Sequence, residues 1–448
     1  MAEAYDVIVV GAGFAGVTAA RELRRAGRQV LIAEGRDRIG GRTWTADAMG
    51  RRLELGGTWV HWIQPHVWAE LSRYGLGVVA SPPPVRGYWI ADGEVHTGTS
   101  DELMSQLDKG MAATTREALT YFPRPFEPLH QPIAREIDEL SIQDKIAELN
   151  LPGHERDLVE GMWATNFNGS TAAGAYTQAL RWCALAAGSW QLMFEACATY
   201  KIDGGTIRLI QAMFDDAGAE LRLNACVTQI AQDGDSVEVR LADGMVLTAR
   251  AVIVTSPINA LSSISFNPQL SEVKQAVAVE GQASAGLKVW ARLRGEYEPF
   301  VALAPGSYPF TLAQVEHVGA GETLLVIFGP ESSRLEAIEP GAVQEALRTW
   351  LPEADILEVA AHDWVDDTFA REGWPMLRPG QLTGALRELQ QPEGRVVLAG
   401  SDYASGWAGF IDGAIESGFS AARTVAALLA DRPAGSRQGE STQALAHA

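Results

Sequence analysis

Apolar and polar positions alternate with different rhythms along this chain, and each rhythm predicts its own kind of element. Between residues 5 and 35 an apolar run breaks at a glycine-rich turn, gives way to apolar positions at helical spacing, stops at Gly27 and resumes as a second apolar run ending in Glu34. Strand, helix and strand within about 30 residues form a β-α-β unit. Residues 76 to 202 carry turn-forming prolines (Pro82, Pro83, Pro84, Pro123, Pro125) and then long helical patterns such as SIQDKIAEL and TQALRWCALAAGSWQLMFEACATY, so this stretch reads as mostly helical. From Gly204 a short helix (TIRLIQAMFDDAG) leads into LRLNACVTQIAQ and SVEVRLADGMVLTARAVIVTSP, where Asp243-Gly244 between β-rich runs marks a hairpin of a small sheet. Residues 261 to 389 mix strands (ASAGLKVWARL, TLLVIFG) with a helix near AVQEALRTWL. A last strand, loop and helix follow in RVVLAGSDYASGW and FIDGAIESGFSAARTVAALLA. In the first of those mixed strands Leu287, Val289 and Leu293 share one face, and Lys288, Trp290 and Arg292 the other. No internal repeat is visible.

Composition narrows the classes of function. The 448 residues are 47% hydrophobic and 21% charged, ordinary for a soluble chain of several domains, with a formal net charge of −20. A surface this anionic repels phosphate backbones and anionic headgroups, and no basic cluster overcomes the repulsion, so neither nucleic acid nor a membrane is expected as a partner. Cys183, Cys197 and Cys226 are odd in number and lack C-x-x-C spacing, which argues against a disulfide scaffold or a zinc site. No metal is expected. The start, MAEAYD, has no basic leader, no apolar run is long enough to span a bilayer, and the chain reads as cytoplasmic. The small, polar residues 433–448 read as a flexible tail.

The first turn carries the chemistry. Gly11, Gly13 and Gly16 spell G-x-G-x-x-G directly after a strand and at the start of a helix. The first glycine permits the tight turn, the second lets a pyrophosphate approach the backbone, and the third lets helix and strand pack closely. Glu34 follows at the end of the second strand, where a carboxylate accepts from ribose hydroxyls and repels a 2′-phosphate, so NADP is disfavoured. Two further glycine-rich segments come soon after, RIGGRT with Gly41 and Arg42 and ELGGTW with Gly57 and Thr58. They suggest backbone wrapped along a long cofactor, with Arg42 meeting phosphate charge.

With GAGFAG, RIGGRT, ELGGTW, SVEVRLADGMVLTARAVIVTSP and LAGSDYASGWAGFIDGAIESG all present, the chain resembles the flavin monoamine oxidase family over nearly its whole length. In HWIQPHVWAELSRYGLGV, FPRPFEP and YKIDGGTIRLIQAM it is most similar to the bacterial branch containing nicotine oxidoreductase and pseudooxynicotine amine oxidase. The resemblance implies an α/β fold: a Rossmann-type, glutathione-reductase-like FAD-binding domain and an α+β substrate domain. Both are discontinuous, the first over 1–75, 203–260 and 390–432, the second over 76–202 and 261–389.

The resemblance also implies roles. Gly11, Gly13 and Gly16 would cradle the pyrophosphate of FAD, Glu34 would bind the adenosine ribose, and Arg42 would sit near the phosphates. Backbone at Val227 would meet the adenine. In the closing stretch, after Gly400, Asp402 stands where the family usually has Glu and would hold the ribityl-phosphate part, with backbone near Ile411 at the pyrimidine edge of the flavin. Lys288 matches the lysine that holds a water against flavin N5. Some relatives tie FAD to a cysteine where this chain reads Glu372-Gly373-Trp374-Pro375, so FAD is expected to be noncovalent. Trp374 and Phe410 would form the two walls of the aromatic cage around the amine, and Trp163, Asn166 and Trp182 are further pocket candidates.

These residues predict transfer of hydride from an amine α-carbon to flavin N5, giving an imine that water hydrolyses to an aldehyde or ketone. The substrate would be a small amine, nicotine-like, cyclic or aryl-alkyl. The electron acceptor would be O2 or a cytochrome-type protein, and the assembly a possible homodimer. Two other readings stand beside this one, an L-amino acid oxidase, which needs an arginine for the substrate carboxylate, and a flavin-dependent desaturase or isomerase of an apolar substrate.

Overall fold

The computed structural model describes residues 4–335 and 338–430; the expected tail at 433–448 lies outside them. Two large sheets organise the chain. The first runs in the order Ser265–Asn267, Val227–Asp233, Ser236–Leu241, Val246–Val254, Ala4–Val10, Val30–Ala33, Glu220–Arg222. Its long strand Val246–Val254 changes partner halfway: residues 246–249 pair antiparallel with Ser236–Leu241, and residues 252–254 pair parallel with Val396–Leu398. The expected hairpin at Asp243-Gly244 is therefore present, and the glycine has φ 89°. On one side of this sheet the helix Phe14–Arg25 packs against the last helix, Ile411–Ala430. A side chain on Gly418 would run into the backbone of Ala15 and the Thr18 side chain, so the glycine sets how closely the two helices approach.

The second sheet runs Ile356–Ala361, Leu287–Arg294, Glu322–Gly329, Leu312–Gly319, Phe300–Leu303, Arg86–Ala91, Glu94–Thr99. It is antiparallel except where Phe300–Leu303 meets Arg86–Ala91. The two-residue period sorts its faces as the sequence leads one to expect. Leu287, Val289, Ala291 and Leu293 join Leu325 and Ile327 in a core covered by Val343 and Leu347 of the helix Pro340–Leu347. Trp290, Leu312, Val326 and Phe328, on the other face, belong to the large core shared with the helices Gly153–Phe167, Tyr176–Leu185 and Trp190–Ala198.

Two stretches differ from the sequence reading. Residues 76–202 are not only helical: they also supply Val78–Ala80, Tyr200–Ile202 and the hairpin Arg86–Ala91/Glu94–Thr99. The hairpin turns at Asp92-Gly93, with φ 52° and 77°, the positive pair that a two-residue turn between right-twisted strands requires. The strand Ser265–Asn267 pairs into the first sheet, although the boundary expected at 260 assigns it to the second unit. Among the described residues no helix is long and apolar enough to cross a membrane, and no group of His, Cys, Asp and Glu is arranged to hold a metal.

Candidate active site

An elongated cavity begins at the carboxyl ends of the parallel strands of the first sheet and reaches the inner face of the second. Parallel sheets bind ligands at that edge because their loops diverge there and leave a crevice. Val10 and Gly11, Ala33 and Glu34, Thr255, and Gly400 line it, each just past or at the end of its strand. Gly13, Gly41, Gly57 and Thr58 line it from loops, Val227 from the start of its strand, and Ile411 from the start of the last helix. Gly16 and Asp402 do not. A side chain at Gly16 would run into the Gly11 carbonyl, so this glycine serves the close contact of helix and strand.

The dinucleotide end is built from backbone. Gly11 has φ 103°, and a Cβ there would collide with the Thr255 hydroxyl. The first helix has Gly13 as its N-cap and no side-chain cap, and Gly13, Phe14 and Ala15 all line the cavity. An anion placed there would satisfy N–H groups that no side chain reaches, so the cradle fits a pyrophosphate. Glu34 is fixed beside it, accepting from Ala12 N at 2.7 Å and Arg36 N at 2.8 Å.

Arg42 lies farther along the cavity, and its guanidinium faces protein carboxylates. Nη1 pairs with Glu372 and donates to Gly373 O at 3.1 Å; Nη2 pairs with Asp402 and donates to Ser401 Oγ at 2.9 Å. Asp402 also accepts from Ile258 N at 2.9 Å, and Glu372 from Asn259 N at 3.1 Å. Burial opposes the charge on all three groups, with different outcomes. Arg42 rises above its ordinary value because two carboxylates face it. Glu372 is pushed well up by burial and by the Asp402 charge, whereas Asp402 is held below the usual carboxylate range because Arg42 and hydrogen bonds from Glu372 and the Ile258 amide together outweigh its burial. The protein thus favours the charge on Arg42 and Asp402 and disfavours it on Glu372. Ser401, not Asp402, presents the side chain that reaches the cavity wall.

Lys288 projects from Leu287–Arg294 on the inner face, directly opposite Phe328. Its amine donates to Glu54 O at 2.7 Å, Gly56 O at 3.0 Å and Thr58 Oγ1, which accounts for all three N–H bonds of an ammonium. The Trp59 and Trp290 rings lie 4.9 and 5.2 Å away. Burial pushes this amine down to about 7, only partly offset by the more distant Glu54 and Glu316. Carbonyl dipoles and ring faces favour the cation far less than a carboxylate would.

Aromatic side chains wall this end. Trp374 is half-buried, donates its indole N–H to Asn166 O at 2.9 Å and meets Phe328 edge-on at 6.0 Å. Phe410 stands edge-on between Trp182 at 5.5 Å and Trp407 at 5.1 Å. Of the pocket candidates from the helical region, Asn166 and Trp182 line the cavity. Trp163 does not: it is fully buried and donates to Thr114 Oγ1. Sequence reasoning missed Trp59, Phe194 and Phe328, which also line it. Phe328 was within reach, since the alternation that turns Lys288 inward in its strand turns Phe328 inward in TLLVIFG.

Comparisons with known proteins agree with this geometry. The profile of the flavin-containing amine oxidoreductase family matches residues 14–426. The chain is 38% identical to pseudooxynicotine dehydrogenase of a Pseudomonas species, over 95% of this chain and 87% of that one. It is 36% identical to nicotine dehydrogenase of Pseudomonas putida, over 95% and 89%. The structure of wild-type putrescine oxidase bound to putrescine superposes with a TM-score of 0.82 at 24% identity, covering 95% of this chain and 99% of that one, and shares the fold. The chain belongs to the flavin-containing amine oxidoreductase family and is an enzyme of amine oxidation whose cofactor is noncovalent FAD.

Proposed function

We propose that the substrate is a monoamine with a flat aromatic or cyclic body, nicotine-like in chemistry, carrying neither a carboxylate nor a second charged group. One observation carries this reading. The substrate end is walled by Trp59, Trp182, Phe194, Phe328, Trp374 and Phe410, and the charged side chains lining the cavity are already engaged. Arg36 pairs with Asp367 at 2.5 Å, Arg42 with Glu372 and Asp402, and Glu34 accepts from backbone amides. Among the described residues that line the cavity, no arginine is left for an amino acid's carboxylate and no carboxylate for the far ammonium of a diamine. That weighs against an L-amino acid oxidase, and no feature of the cavity favours a desaturase or isomerase. The names of relatives that act on nicotine and pseudooxynicotine support the same class.

In this reading Gly11, Gly13 and the start of the first helix hold the FAD pyrophosphate, Glu34 the ribose hydroxyls and backbone at Val227 the adenine. Gly41, Gly57 and Gly400 leave room for the cofactor, and the start of the last helix at Ile411 faces the flavin's pyrimidine edge, where its N–H groups favour developing negative charge. What FAD supplies when bound is a two-electron acceptor. The protein does the rest. Trp374 and Phe410 flank the amine nitrogen and hold its α-carbon in place, and the apolar walls favour the neutral amine, whose lone pair must be free. The neutral amine would give up its α-hydrogen with two electrons to that acceptor and leave as an iminium ion, which water hydrolyses to an aldehyde or ketone and an ammonium product.

We assign reoxidation to O2 or a cytochrome-type acceptor; related names include both an oxidase and dehydrogenases. A homodimer, a cytoplasmic site of action and the division into discontinuous FAD and substrate domains complete the proposal. The test is anaerobic mixing of the purified yellow protein with aryl and cyclic monoamines, diamines, amino acids and a polyene. Bleaching by an aryl or cyclic monoamine is expected; bleaching by an amino acid or the polyene alone would overturn the reading.

A further inference from the structure

Beyond the cage itself, the surroundings of Trp374 contain a buried acid that charge balance does not require. Arg42 needs one carboxylate to be neutral, and Asp402 supplies it; Glu372 brings a second, fully buried, to the same guanidinium. We propose that Glu372 is a positioning residue which, through Arg42, fixes the wall residue Trp374 against the loop carrying Ser401 and Asp402. This rests on Trp374 being a wall of the amine site.

The connections run both ways from Glu372. Toward the wall, Arg42 Nη1 holds the Glu372 carboxyl and the Gly373 carbonyl together, so both residues preceding Trp374 hang from one guanidinium. Toward the other loop, Nη2 holds Asp402 and Ser401. The second Glu372 oxygen accepts from Asn259 N, and Asn259 in turn donates from Nδ2 to Arg371 O at 3.0 Å and accepts from Gln282 N at 2.7 Å. The backbone before Trp374 is thus braced from two sides. Gly373 itself has no room to substitute for this brace, because a Cβ there would collide with Asn168 Nδ2. The far end of Trp374 is tied separately, by its indole N–H to Asn166 O. Without Glu372 the ring keeps its tip bond and loses one anchor of its base.

This role calls for hydrogen-bonding geometry at residue 372 and makes no use of its charge. Burial and the neighbouring Asp402 charge both push the Glu372 carboxyl toward its protonated form, the form an amide imitates. Glu372→Gln keeps the full side-chain length and a carbonyl acceptor for Arg42, and turns an amide N–H toward Asp402 at the cost of the second acceptor that Asn259 N uses. Glu372→Asp keeps the acid but draws it back by one methylene, and Glu372→Ala removes it.

The measurements are KM and kcat for an amine that bleaches the flavin, the affinity of a nonreducing amine analogue read from the flavin absorption shift, and FAD affinity of the apoprotein by fluorescence titration. Glu372→Asp and Glu372→Ala are expected to raise KM and weaken the analogue by about tenfold while kcat changes less; Glu372→Gln should stay within about threefold of wild type in every readout. In a Trp374→Ala background the Glu372→Asp effect on KM should vanish, because the two residues act as one unit. If Trp374→Ala leaves KM unchanged, the cage reading fails. If Trp374→Ala raises KM but Glu372→Asp does not, or if Gln is as harmful as Asp, the positioning role is overturned. Should Glu372→Ala not fold, the Asp and Gln variants decide alone.

Discussion

Arg42, partly buried, and Lys288, buried, are both cations on the wall of one cavity, and they are accommodated in opposite ways. Arg42 sits among carboxyl groups, and its charge is fixed above its ordinary value. Lys288 sits among carbonyls, a hydroxyl and two indole faces, and burial brings it down to about 7. Removing a charge from water costs several kcal/mol, so the partner decides whether the charge persists: a carboxylate holds it at every physiological pH, whereas dipoles leave it adjustable. The difference divides labour within the site. Arg42 is a fastener between loops, and Lys288 is a group whose charge can respond to what arrives beside it.

The strongest way to break this contrast is to remove the fastener. Arg42→Met leaves Asp402 and Glu372 facing each other in an apolar setting, and loss of one partner from a buried ion cluster costs about 3–5 kcal/mol. The urea midpoint of the purified protein should fall accordingly; an unchanged midpoint would show that Arg42 fastens nothing.

Lys288→Met tests the other half. Removing this buried amine from the cavity wall should slow flavin reduction or reoxidation by about tenfold or more, measured by stopped-flow absorbance. Equal rates for wild type and variant in both half-reactions would remove Lys288 from the site. The pH behaviour is a second readout. This amine titrates near 7 when folded and at its ordinary 10.5 when unfolded, so between those values the unfolded chain holds a proton that the folded chain has released. Wild-type stability gains a contribution that grows as pH rises through that window and is absent below it. Thermal unfolding of Lys288→Met should lack this rise, and parallel Tm–pH curves would mean that Lys288 is not perturbed.

A smaller change sharpens the picture at the wall. Trp374→Phe keeps a flat ring but loses the indole bond to Asn166 O, worth about 1 kcal/mol, and should raise KM by about fivefold with little change in unfolding. Smallest is the effect of the −20 net charge. Unlike the buried groups, this field acts through solvent, so kcat/KM for a cationic amine should fall a few-fold as salt rises, and a flat response would leave the charge a solubility feature only.

What could be read from sequence follows from how local each feature is. The first glycine turn was legible because its residues answer to backbone geometry within a few positions of one another. The hairpin at Asp243-Gly244 was legible for the same reason. The same Asp-Gly signal at 92–93 escaped notice because prolines before it and helical patterns after it gave the stretch a different character. The cavity walls were harder. Trp59, Phe194 and Phe328 come from three separate segments, and each in its own segment looks like any core aromatic. Trp163 looked equally suited to the pocket and is instead sealed against Thr114. Glu372 lies 330 positions from Arg42, so the presence of a second acid at that guanidinium became visible only once the chain was folded.

The long strand Val246–Val254 that changes neighbours midway has a consequence for biosynthesis. Its carboxyl-terminal half pairs on one edge with Ala4–Val10, which leads into the glycine turn, and acquires its partner on the other edge from Val396–Leu398, and the cavity wall extends to Ala414. A ribosome that has made the whole glycine fingerprint has made only the first part of the cradle, and the cradle closes after almost everything else has been translated. Flavin capture is then a late event in the life of each molecule. A fragment ending before residue 396 should emerge colourless, as flavin fluorescence of the purified fragment would reveal, and lesions in the last helix should yield empty protein rather than sluggish enzyme.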